Sequence, residues 1–171
     1  LKARLKRNIF RSLAVINTNE SFNVLSMYFH DASEQEKLQL IYSFDILKNP
    51  AANSLIYEYF TKSDLETKLA CIKALGSIGD QEAIEFLIKI LNLTDEKISS
   101  NDIIALHQEA VYALRSILGS RIAKKNAEQI TAYWTENKEF FSNENNTVGL
   151  LQPLNEFLGT IGEHDDILAN G

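Results

Sequence analysis

Few side chains in this sequence have the type and spacing that chemistry requires. Three histidines stand far apart: His30 before Asp31, His164 before Asp165, and His107 in His107-Gln108-Glu109. A metal site needs several ligands converging within about 2.0–2.6 Å of one point, and three scattered histidines do not supply them. They read as surface or helix-end residues, and no cofactor is implied. The lone Cys71 lies between Ala70 and Ile72, which marks a packing thiol rather than a reactive one. Asp165-Asp166 reads as a solvated face. No glycine-rich phosphate loop, nucleophile motif or carboxylate pair is present.

Charge is the stronger signal. Lys2, Arg4, Lys6, Arg7 and Arg11 crowd the start, and no acidic residue occurs before Glu20. The remainder holds 12 of the 17 basic residues and all 23 acidic ones, so the body is acidic and repels phosphate. Nucleic acid is therefore not an expected partner. The basic start reads either as the solvated face of a terminal helix or as a membrane or anionic contact. In the second case it is a juxtamembrane segment following a membrane helix upstream.

The elements that must position these residues centre on Lys68–Leu91, KLACIKALGSIGDQEAIEFLIKIL. Leu69, Ile72, Leu75 and Ile78 form one helical stripe, Gly79 ends that helix, and Asp80 caps a second. On the second helix, Ala83, Leu87, Ile90 and Leu91 share a face. Such a hairpin has too little core to stand alone, so neighbours must cover it. A shift of 31 residues aligns three copies. Phe10, Leu13 and Ile16 match Ile41, Phe44 and Leu47, then Ile72, Leu75 and Ile78. On the second helices, Val24, Leu25, Tyr28 and Phe29 match Leu55, Ile56, Tyr59 and Phe60, then Phe86, Leu87, Ile90 and Leu91.

In chain order, the expected units are 1–31, 32–62, 63–93, 101–142 and 147–171, forming a single domain. The first helix has the stripe Leu1, Leu5, Ile9, Leu13 and Ile16 and no preceding cap, so the chain is expected to be part of a longer polypeptide. Capping boxes are expected at Ser33/Glu36 and Ser63/Glu66, and a capped corner at Asn49-Pro50. Thr94–Asn101 is a polar insertion, after which Ala110, Val111, Leu114 and Ile117 continue the stripe at an offset of 39. Gly76 sits inside a helix where propensity disfavours it by about 1 kcal/mol, which implies close approach of a neighbouring helix. Gly159, in the second LGxIG motif, occupies the matching place. The last unit is half a hairpin, so its end is expected to fray and its exposed side to self-associate.

Ala70, Ala74, Leu75, Gly76, Ile78, Gly79, Asp80 and Ala83 resemble the HEAT repeat of the short bacterial, phycobilisome-lyase-like type. The resemblance implies an all-α, right-handed α-solenoid of about four complete hairpins plus an incomplete fifth, with second helices lining a concave face. It also implies a binding scaffold rather than an enzyme. Metal-dependent members of the class place adjacent His-Glu pairs in successive repeats, whereas His107 and Glu109 are separated by one residue and have no second copy. The expected function is a non-catalytic, cytoplasmic scaffold for a protein or peptide. Its candidate surface is the row Ser26, Tyr57 and Ile88 beside Met27, Glu58 and Lys89. The alternatives are the cytoplasmic part of a membrane-anchored protein, or a lyase-like subunit of a small-molecule-modifying enzyme.

Overall fold

The structure is a computed structural model and describes residues 2–94 and 98–142. Eight α-helices and no strand occur among these residues, and the fold is an all-α solenoid of the HEAT type. The helices are α1 (Lys2–Ile16), α2 (Asn19–Asp31), α3 (Glu34–Leu47), α4 (Asn53–Lys62), α5 (Leu65–Ile78), α6 (Gln81–Leu91), α7 (Ser100–Leu118) and α8 (Ala127–Ser142). Short 3₁₀ turns at Pro50–Ala52 and Gly119–Ile122 precede α4 and follow α7. Two compact units divide the chain, residues 1–132 and 133–171. In the second, the Trp134 and Phe141 rings lie 5.1 Å apart. The expected fifth hairpin, with Gly159, His164 and the self-associating end, lies outside the described residues.

Within residues 1–132 the first helices pack side by side, α1 on α3, α3 on α5 and α5 on α7. The middle first helix α5 is thus covered on two flanks and by the second helices α4 and α6. This explains α5, where Ala70, Cys71, Ile72, Ala74 and Leu75 are all buried. At the matching second-helix position, Leu25, Ile56 and Leu87 are all fully buried. Burial of each such side chain contributes about 1.5–3 kcal/mol. Gly76 is the closest point of the α5–α7 seam: a Cβ there would lie 2.8 Å from the Cβ of Ala113.

The corners repeat more faithfully than their residues do. Asn17 (φ 54°), Lys48 (φ 55°) and Gly79 (φ 68°) all adopt a left-handed conformation, one per repeat. The next residues, Thr18, Asn49 and Asp80, each accept a backbone N–H through the side chain. Ser33 and Glu36 form the expected capping box. At the next repeat Asp64 is the cap instead of Ser63, because the Ser63 hydroxyl donates to the Tyr59 carbonyl and the Asp64 carboxylate takes the Thr67 amide at 2.9 Å. Pro50 opens the 3₁₀ turn, not the α-helix itself.

The expected stripe on α1 is not the buried one. Leu5, Ile9 and Ile16 are exposed, and Phe10 and Ala14 are buried instead. The reason is positional: α1 has a described neighbour only on the α3 flank, so residues on its other flank meet none. Val24 on α2 is exposed for the corresponding reason.

A polar clasp joins the first two repeats. Lys6 Nζ donates to Glu36 at 2.5 Å and to the Tyr28 hydroxyl at 2.7 Å, and that hydroxyl donates to Glu36 at 3.2 Å. The Lys6 contact, then the Ser33 amide and hydroxyl, hold the Glu36 carboxyl at about 2.

Two predictions follow from these seams. Gly76→Ala should destabilise the chain by about 1–3 kcal/mol in urea unfolding, since α5 and α7 must move apart. Glu36 has a folded value below its unfolded one of roughly 4.3, so its stabilisation is present above that pH and lost as pH falls towards 2. Melting temperature should therefore drop on acidification from pH 5 to pH 2, with Glu36→Gln showing a smaller drop than the wild type.

Candidate functional site

The second helices form the layer that carries the candidate partner-binding residues. Tyr57 of α4 stacks on Phe86 of α6 with ring centroids 4.3 Å apart and planes 16° from parallel. Phe60 meets the same Phe86 ring edge-on at 5.4 Å. Tyr57 is accordingly half-buried at the junction of α4 and α6, and Ile88 is half-buried as well. Ser26 is half-buried too, and its hydroxyl donates to the Asn23 carbonyl at 3.0 Å. The adjacent row is the one that faces solvent: Met27 is 74% exposed, and Glu58 and Lys89 are exposed at the same register. Glu58 pairs with Lys62 at 2.9 Å, which holds its carboxyl below the usual range.

The Tyr57 hydroxyl is buried and has no hydrogen-bond partner among the described residues. Burial, then the negative charge of Asp80, pushes its pKa up. Asp80 also anchors the corner: it accepts the Ala83 amide at 2.9 Å, and the buried Asn53 side chain donates to both of its oxygens at 3.0 Å. Sequence reading missed this Asn53–Asp80 bridge, because Asn53 aligns with Phe22 and Ile84 and no polar pattern repeats there.

The residues with chemical reach stay apart. His107 contacts the Leu93 carbonyl at 3.3 Å and ties α7 to the end of the third hairpin. His30 lines a groove with Glu34, Lys37, Glu58 and Lys62, whose charges are spent on one another. In that groove the Tyr59 hydroxyl, then Lys37, hold the Glu34 carboxyl low, so it is not poised as a proton donor at neutral pH. Cys71 is fully buried, and burial pushes its thiol up to about 12. Another groove, of about 460 Å³, runs between α5 and α7 past Lys48, Lys73, Glu109 and Tyr112. Among the described residues, no three His, Cys, Asp or Glu side chains group as metal ligands.

The basic start divides in two. Lys6 is committed to the clasp with Glu36. Arg4, Arg7 and Arg11 are exposed, fall on one face of α1 at spacings of three and four, and form no ion pair among the described residues. Lys2 opens α1. No described helix is long and apolar enough to cross a membrane.

The family model for HEAT repeats matches residues 24–107, from within α2 to within α7. Comparison with curated proteins and with solved structures finds no match. Stacked helical pairs at a 31-residue period, with the left-handed corners at Lys48 and Gly79 and the side-chain caps that follow them, coincide with that match, and residues 24–107 are HEAT repeats.

Proposed function

We propose that the chain is a non-catalytic scaffold that binds a protein or peptide on the solvent face of its second helices. HEAT repeats commonly serve as protein-interaction scaffolds, and this chain carries that architecture. The observation that supports the finer reading is the row Met27, Glu58 and Lys89. It presents an apolar, an acidic and a basic side chain to solvent at one register of three successive helices. Beneath the row, the Tyr57–Phe86 stack fixes the spacing of two of these helices, so little side-chain order need be gained on binding. Tyr57 and Ile88 act in this reading as the support of the surface, and Ser26 as its edge. The phycobilisome-lyase-like subtype is supported by the LGSIGD corner of the third repeat.

The test compares partner recovery from native lysate by wild type, Met27→Glu/Lys89→Glu, and Tyr112→Ser on the exposed part of α7. Changes at exposed positions should move stability by no more than about 0.5 kcal/mol, so differences in recovery report the surface. Loss of a partner with the double variant alone is expected. Equal recovery by all three would remove this face from consideration.

Tyr57→Phe separates support from recognition. It deletes a buried hydroxyl without a described partner and keeps the ring on Phe86, so stability should hold or rise by up to about 1 kcal/mol. Partner recovery should match wild type, as measured in the same assay.

A further inference from the structure

A groove between α1 and α3 gathers the unpaired cations from the start of the chain. It measures about 210 Å³ and is lined by Arg4 and Arg7 of α1 and by Gln35 and Gln39 of α3. The buried Phe10 ring and the Lys6–Glu36 clasp also line it. Glu36 neutralises Lys6, so Arg4 and Arg7, which form no described ion pair, leave the groove positive. Gln35 and Gln39 stand one turn apart on α3, and their side-chain amides have no hydrogen-bond partner among the described residues. The line continues two turns on from Arg4 and Gln35 with exposed Arg11 on α1 and exposed Tyr42 on α3. In the remainder of the chain carboxylates outnumber cations, so an anionic ligand meets least repulsion here.

We propose that this groove binds an acidic peptide segment in extended conformation, with carboxylates at alternate residues. The spacing supports that register. Arg4 to Arg11 spans about 10 Å of helix axis at roughly 1.5 Å per residue. In an extended chain alternate side chains share a face and lie about 6.6 Å apart, so a run of alternate carboxylates covers that span. Each guanidinium can take a carboxylate through two parallel N–H···O bonds. The glutamine amides offer both a donor and an acceptor, which the N–H and C=O groups of an extended backbone require. The small extent of the patch favours a peptide over a nucleic acid or a bilayer. Those polyanions spread their charge over a wider area, and beyond this groove they would meet the acidic body of the chain. The groove lies between first helices, apart from the second-helix row, and either reading can fail alone.

The test titrates the full chain into a rhodamine-labelled peptide, Ser-Glu-Val-Glu-Val-Glu-Ser, and follows fluorescence anisotropy. Saturable binding that weakens with added salt is expected. Arg4→Ala/Arg7→Ala should weaken it by at least roughly tenfold at unchanged melting temperature. Gln35→Ala/Gln39→Ala should weaken it by about threefold or more. Lys73→Ala/Lys89→Ala removes the same charge from exposed positions outside the groove and should bind as wild type does. A peptide with glutamine in place of every glutamate should not bind. No saturable binding up to about 1 mM peptide overturns the proposal, as does an equal loss in the Lys73→Ala/Lys89→Ala variant. Equal affinity for a peptide of the same composition with its glutamates consecutive overturns the alternating register. Phosphatidylserine–phosphatidylcholine vesicles and a single-stranded oligonucleotide serve as rival probes. Tighter binding of either than of the peptide, lost in Arg4→Ala/Arg7→Ala, would make that probe's class the occupant and overturn the peptide.

Discussion

The contact on which the described structure depends is the flank-to-flank packing of the first helices. Each middle helix must be apolar or small on two opposite sides, which leaves only a narrow strip for solvent. That demand selects Ala70, Ala74 and Gly76 on α5 and Ala110 and Ala113 on α7, where bulk would hold the axes apart. It also accounts for Cys71, a small and weakly polar side chain at a position where burial keeps the thiol protonated.

The second constraint is the corner. A hairpin of fixed length repeats in register only if the chain reverses at the same residue each time. The left-handed residue at 17, 48 and 79 followed by a capping side chain at 18, 49 and 80 performs that reversal. Glycine meets the backbone requirement at one corner without steric cost. Asparagine is tolerant of the same region, and Lys48 adopts it because its amide bonds the Phe44 carbonyl and the flanking helices are held by packing. The cap is the more constant element, since an unpaired N–H at a helix start costs stability in every repeat.

These constraints allocate roles. First helices supply cohesion, and polar side chains enter their seams only when paired, as in the Lys6–Tyr28–Glu36 clasp or the Ser77 hydroxyl on Asp45 at 2.5 Å. Second helices bury one side and leave the other to solvent, where Met27, Glu58 and Lys89 are not used in packing. Variation is cheapest on that side, which is where a scaffold can acquire specificity without disturbing its core. The polar groups seen in grooves are largely engaged with one another, an arrangement suited to holding shape rather than to proton transfer.

Sequence alone determined the architecture, because a 31-residue period in apolar residues is a direct imprint of stacking. The LGSIGD corner, the Ser33/Glu36 box and the meaning of Gly76 were legible for the same reason: local backbone geometry demands those residue types. Tertiary structure decided which flank of a helix is covered. Leu5, Ile9 and Ile16 are as apolar as Leu40 and Leu47, and only the position of α1 leaves them exposed. It also decided that Tyr57 lies half-buried on Phe86 while Met27 faces water, because a ring between two helices finds its neighbour across 29 residues of sequence. The Asn53–Asp80 bridge and the left-handed Lys48 were invisible for a related reason. Each depends on where a neighbouring segment has been placed, and periodicity records that placement only where the same residue type is needed in every repeat.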